Sequence, residues 1–367
     1  MNKKGVIGVV VVIIAIALVI VVGTYFYSNH SKDKGTINNN SLQQNTGKPA
    51  IYATIVSHSE DSSPRFNYLD TEEGYVEGRD AVLKMAKFVK DTGAAWNYEP
   101  EWRFLEAALK YEKGEVLSNT NNKNILRYLS EDMGFQIDPH SHELQGYNYA
   151  DVAYLINQLG VTPSKVVGGF IAFPTESAIW EKFRSPLEAN KYSYSWDADV
   201  LWGAGTSQHV GDEQKKSGLW KPKSESDFFT NDANANLIYL GGCADIDLLV
   251  DSIYISKTAP ADKMYNVVIF IAEDDLQDTG KFSNYELQIE QINEYVQKGY
   301  VKWATFDEIV NIWQTEYNSE PNMFNCEASN IQQTNPAQGN QQATGSCGDG
   351  LCQDIERTRA ACPADCG

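Results

Sequence analysis

The sequence predicts an α/β protein built as a closed or nearly closed (β/α) barrel. Short β-branched runs alternate with helix-period segments over about 270 residues. A span of that size suits one such barrel. No glycine-rich phosphate loop is present to favour a doubly wound open sheet, which stands as the alternative.

The elements follow in order. "IYATIVS" (51–57) is a β-branched strand. In 78–93, Val82, Leu83, Met85, Ala86 and Val89 recur at helical spacing, and Gly93 closes the helix. "AAWNYE" (94–99) is a second strand, followed by helical stretches at 101–112 and 123–132, the latter ended by Gly134. "FQIDPHSH" (135–142) reads as a strand and its mouth, and 148–160 as a helix capped by Asn148. Strands are expected at 165–173, 198–205, 236–241, 264–272 and 300–306, with helices at 175–183, 284–299 and 307–317.

The flanks differ in kind. An uncharged apolar run of 19 residues, Gly5 to Gly23, follows Lys3 and Lys4 and precedes Tyr25, Phe26 and Tyr27. It is long enough to cross a bilayer and has an aromatic belt. A retained signal-anchor is the first reading, since no small-x-small cleavage site follows. A cleaved signal peptide is one alternative. The other is a prepilin-type leader cut after Gly5, which "KKG" before an apolar run resembles. Residues 1–27 are thus an anchor or signal, 28–48 a polar stalk, 49–326 the barrel, 327–345 an Asn/Gln-rich linker and 346–367 a cysteine-rich motif. The expectation is a single-pass membrane protein with its bulk outside the cytoplasm.

A formal net charge of −19 repels phosphate backbones and excludes nucleic acid as a partner. Four of the six cysteines, Cys347, Cys352, Cys362 and Cys366, fall within the last 21 residues. Their spacing lacks the paired C-x2-C knuckles of zinc ribbons, so disulfides in an oxidising compartment lead over a zinc site. Cys243 and Cys326 are either a further pair or, for Cys243, a buried small hydrophobe. The tail resembles short "CGDGxC…CPxDC" segments of bacterial and archaeal surface proteins. There Asp349, Asp354, Glu356 and Asp365 offer either a Ca²⁺ loop or a solvated acidic face.

Chemistry concentrates at two strand ends. The chain has five histidines, and His140 and His142 stand one residue apart in "IDPHSHEL", flanked by Asp138 and Glu143. On an extended chain both imidazoles point to one side and can face one ion. The first strand runs out into His58, Glu60 and Asp61. In parallel α/β folds functional groups gather at such carboxyl ends. Two imidazoles and a carboxylate form a catalytic zinc-type donor set, with cobalt, nickel or iron as alternatives. Tyr192, Tyr194, Trp196, Trp202 and Trp220 are either sugar-stacking rings or packing.

"GFQIDPHSHEL", "VSHSED", "FRSP" (183–186) and "YVKWATFDEIVNIW" together resemble the polysaccharide deacetylase (NodB-homology) family over about residues 51–313. The resemblance implies a distorted (β/α)7 barrel that removes N- or O-acetyl groups from glycans with a divalent metal, zinc first. It makes Asp61 and His140 metal ligands. It also brings in His142 as a ligand, since Leu144 occupies the family's second histidine position. Glu60 becomes the general base and Arg184 its orienter. The family's late histidine acid is absent, leaving Glu273 or His209 for that proton. His58 and Glu143 are additional site candidates. Three functions follow as expectations: a surface carbohydrate esterase acting on a cell-envelope glycan, a non-catalytic glycan-binding or structural protein on the same fold, or a glycoside hydrolase with paired carboxylates such as Glu60 and Glu273.

Overall fold

The computed structural model describes residues 44–45, 47–59, 68–169, 180–203, 216–224, 226–272, 275 and 279–326. The apolar N-terminal run, the stalk up to residue 43, the linker and all four tail cysteines lie outside the described residues, as do Glu60, Asp61, His209 and Glu273. No described helix is long and apolar enough to cross a membrane.

Twelve strands are described: β1 (Ile51–Ser59), β2 (Trp96–Pro100), β3 (Gln136–Ile137), β4 (Val166–Val167), β5 (Leu187–Glu188), β6 (Ser195–Trp196), β7 (Val200–Trp202), β8 (Lys216–Trp220), β9 (Ile238–Gly241), β10 (Tyr265–Ile271), β11 (Val301–Trp303) and β12 (Phe324–Asn325). They form a parallel sheet in the order β10-β1-β2-β3, a second sheet β12-β8-β9-β7-β4, and a β5-β6 ribbon. Two isolated parallel bridges, His140↔Gly168 and Cys243↔Val267, join the first two sheets at both ends. Seven parallel strands therefore complete a circuit: β1, β2, β3, β4, β7, β9 and β10. The circuit is distorted. β11 pairs with the first three residues of β1, below the stretch where β2 pairs. β8 and β12 are antiparallel additions.

Helices cover the outside. Helix α1 (Glu72–Thr92) starts on Thr71, whose hydroxyl accepts from the Gly74 N–H, and stops at Gly93 in the left-handed region (φ 73°). Helices α2 (Trp102–Tyr111), α3 (Tyr149–Gln158), α4 (Thr279–Gln297) and α5 (Phe306–Glu316) follow. All nine residues of β1 are buried, as a strand covered on both faces requires. Its alternation sorts them: Ile51, Ala53 and Ile55 pack with the Val82, Met85 and Val89 face of α1. Tyr52 and Val56 turn inward to Val166, Val200, Ile238 and Val268, where Phe306 and Trp313 of α5 join them.

The inward face also carries polar groups. Asn97 Nδ2 donates to Thr54 Oγ1 (2.5 Å) and Asn97 Oδ1 accepts from the Phe306 N–H (3.0 Å). One fully buried amide thus joins β1, β2 and the start of α5.

Several expected elements change in extent. The strand expected over 135–142 is regular only at Gln136–Ile137, and His140 rejoins the ladder through its single bridge. The helix expected from 78 begins at Glu72, because the Thr71 cap and the acidic first turn Glu72–Glu73 extend it. The 300–306 strand ends at Trp303, since Thr305 caps α5 in a box with Glu308. Of the two readings for Cys243 the buried small hydrophobe holds: it is buried in the core, and its thiol and that of Cys326 are free. Hydrogen bonding to Cys243, then burial, pushes the Cys326 thiol up, which keeps it protonated.

Replacing the amide that joins three elements tests this packing. Asn97→Ala strands the Thr54 hydroxyl and the Phe306 N–H, and is expected to cost about 2 kcal/mol. That lowers Tm by about 4–8 °C in a thermal melt. An unchanged Tm would remove the amide from the framework.

Candidate metal centre

The centre is set by strand register. β1 and β2 pair so that His58 stands beside Glu99, both on the inward face at the carboxyl ends of their strands. His58 Nε2 lies 2.6 Å from Glu99 Oε2, with the side chains 3% and 0% exposed. The loop after β3 brings in His140, 1% exposed, whose ring stacks on His58 at 3.9 Å between centroids and 27° between planes. Phe270 and Trp202 close the other sides of His58, at 4.7 and 6.2 Å.

His140 has a defined tautomer. Its Nδ1 is 2.9 Å from the Gly168 carbonyl, which can only accept, so Nδ1 carries the proton and Nε2 keeps its lone pair. His140 Nε2 lies 3.3 Å from His142 Nε2. The His142 N–H donates to Glu101 Oε1 (2.7 Å), and the Glu101 N–H to the Ser59 carbonyl (3.0 Å). The end of β1 and the His140–His142 loop are thereby linked through Glu101, by its N–H on one side and its buried carboxylate on the other.

The two glycines of "VVGGF" let the walls close. A Cβ on Gly168 would sit 2.5 Å from the Glu99 carboxylate. Gly169 has φ +62°, and a Cβ there would come within 2.6 Å of His58 and 2.8 Å of His140.

One ligand atom from each of His58, Glu99 and His140 lies within 4.8 Å of the others, and all three residues are buried. Two imidazoles and one carboxylate suit a first-row divalent ion and leave a position open. The electrostatics agree. Asp138, buried two residues before His140, has its carboxyl held well above the usual carboxylate range by burial and then by the charge of Glu99. Its Oδ1 accepts from Gln136 Nε2 (2.7 Å) and the Ser164 hydroxyl, while Oδ2 has no partner among the described residues. Buried acids crowded this way favour a cation.

The structure thus brings His140 together with His58, and His142 adjoins them. Glu99 was not anticipated: its signal was the polar position alternating with Trp96 and Tyr98 along β2. Glu143 turns away, exposed and paired with Lys182. Arg184 uses its guanidinium elsewhere: Nε is 2.6 Å from Glu181 Oε2, Nη2 donates to the Pro222 and Lys223 carbonyls, and the group lies over Trp180. None of those contacts reaches His58, Glu99 or His140, and Glu60, which Arg184 was expected to orient, is outside the described residues.

No family model matches the chain, and no curated protein matches it. Among solved structures it is distantly similar to a Parabacteroides distasonis protein provisionally described as a glycoside hydrolase/deacetylase, with 12% identity and a TM-score of 0.39 over 74% of this chain and 72% of that one. It is similar to 4-α-glucanotransferase from Thermococcus litoralis at 11% identity and a TM-score of 0.41, covering 72% of this chain and 40% of the enzyme. A GH57 branching enzyme from Thermococcus kodakaraensis gives 8% identity and 0.38 over 71% and 70%. Similarity this distant decides neither family nor reaction.

Gly169→Ala tests the close packing. The positive φ alone costs about 1–2 kcal/mol, and the added methyl displaces the stacked rings. A lowered Tm together with loss of divalent-ion binding is expected in melts and equilibrium dialysis. Wild-type behaviour in both would show that the walls are looser than described.

Proposed function

We propose that the chain is a metal-dependent hydrolase of the carbohydrate-esterase kind, removing N- or O-acetyl groups from a glycan. The observation that supports it most is the buried His58, Glu99 and His140 set at the strand ends. The resemblance of "GFQIDPHSHEL" to polysaccharide deacetylases supplies the reaction class. What a bound divalent ion supplies in such a site is Lewis acidity toward an acyl carbonyl and toward water.

The chain's own residues do the rest. His140 presents Nε2 because Gly168 fixes its other nitrogen. His58 Nε2 stands 2.6 Å from Glu99 Oε2, so the imidazole and the carboxylate are available together as one donor set. Glu101 sets the backbone of His142. Phe270 and Trp202 screen His58 from water, which strengthens each polar contact. Glu60 and Asp61 follow the last residue of β1 directly, so the proposal keeps them as general base and additional ligand. The apolar run at 5–23 is proposed to tether the barrel to a membrane, with envelope glycan as substrate.

The test is metal analysis and acetate release on the purified full-length chain beside His140→Ala. About one first-row ion per wild-type chain is expected, lost in the variant. Acetate release from acetylated glycans should fall at least about a hundredfold with it. Metal without acetate release would leave a glycan-binding protein. Equal metal content in both proteins would sink the metal reading.

A further inference from the structure

We infer that Tyr149 is a positioning residue for the proposed metal centre: its hydroxyl holds the carbonyl that receives the His140 Nδ1 proton. The inference rests on the metal reading above. It concerns how the chain holds one ligand in the binding tautomer, and it draws on groups that the sequence did not single out.

The hydroxyl acts on the Gly168 peptide. Tyr149 Oη donates to the Gly168 carbonyl at 2.9 Å, the same oxygen that accepts from His140 Nδ1 at 2.9 Å. A carbonyl has two lone pairs, so these two donors complete it. The Gly168 N–H in turn donates to the Pro139 carbonyl (3.1 Å), one residue before His140. The Gly168 peptide therefore brackets His140: its N–H holds the residue before it, its carbonyl holds the ring, and the phenol holds that carbonyl. If the Gly168 carbonyl turned away, Nδ1 would lose its acceptor and the tautomer would no longer be fixed.

Tyr149 is itself held on several sides. It is the first residue of α3, whose N-terminus is closed by a capping box between Asn148 and Asp151. Asp151 also accepts from the Asn190 and Lys191 N–H groups (3.1 and 2.8 Å), pinning the helix start to the following loop. The ring meets Phe183 edge-on at 5.2 Å and lies nearly parallel to Trp196 at 6.4 Å. Burial, then the charges of Glu99, Glu143 and Glu101, push the phenol well above its ordinary range. The hydroxyl keeps its proton and remains a donor.

A residue that only packs would behave differently, and the test separates the roles. Co²⁺ affinity of the full-length chain is measured by chelator competition, with the visible Co²⁺ spectrum and the metal-free Tm. Tyr149→Phe is expected to weaken Co²⁺ binding by about 10–100-fold and to alter the spectrum. The metal-free Tm should fall by only about 2–4 °C, the effect of one buried hydrogen bond. Tyr154→Phe is the control: it lies on the same helix, stacked on Tyr192 at 4.2 Å, and should leave affinity and spectrum unchanged. Wild-type affinity and spectrum in Tyr149→Phe would overturn the inference while leaving the metal centre in place. A wild-type chain that binds no Co²⁺ would overturn the metal reading and this inference with it. Should the variant fail to fold, the imidazole ¹⁵N spectrum of the unaltered chain serves. His140 is expected as the Nδ1–H tautomer with slow proton exchange, and the Nε2–H tautomer would contradict the clamp.

Discussion

The contact on which the rest of the site depends is His58 against Glu99. It is a consequence of parallel register, since Ile55 to Ser59 of β1 run beside Trp96 to Pro100 of β2. A slip of one residue in β1 would turn His58 outward into the helix layer and leave Glu99 without it. The register is locked below by Asn97, which bonds across to Thr54 and up to the start of α5. Above it, Glu101 N–H bonds to the Ser59 carbonyl. Once the pair is fixed, His140 has one place to stack, and Gly168 and Gly169 can approach only because neither carries a side chain.

This arrangement is costly to fold. Buried imidazoles and carboxylates lose hydration, and their mutual contacts recover only part of it. The lower half of the ring is ordinary: Tyr52, Val56, Val200, Ile238 and Trp313 fill it. The polar half sits at the strand ends, where His58, Glu99, Asp138 and His140 are all nearly inaccessible. Polar burial of this kind is what binding and catalytic centres tolerate for function. A divalent ion matches the excess of acid and unprotonated imidazole.

Much of the frame was legible in sequence because it is local. Period-two and period-3.6 patterns located β1, β2, β10, α1, α3 and α5, with boundaries moved by caps such as Thr71 and Thr305. His140 was legible because histidine is scarce in this chain and follows a strand. Glu99 was hidden because its role comes from register with β1, a relation between residues 41 apart that no local pattern states. The clue was that "WNYEP" alternates aromatic and polar positions although every residue is buried. In a strand covered on both faces, the polar positions mark the lumen. Arg184 is held by Glu181 and the Pro222–Lys223 carbonyls, and Glu60, the residue that the resemblance of "FRSP" pairs it with, lies outside the described residues. β8 escaped notice because it is antiparallel in a chain otherwise read as parallel.

The account stands on one ion being held by His58, Glu99 and His140. Anomalous diffraction at the zinc edge, from crystals of the zinc-loaded chain, tests it most directly. The account predicts a peak bonded at about 2.0–2.2 Å to an imidazole nitrogen of each histidine and to a Glu99 oxygen. A zinc peak touching none of these three residues, or found only among the C-terminal cysteines, would contradict it.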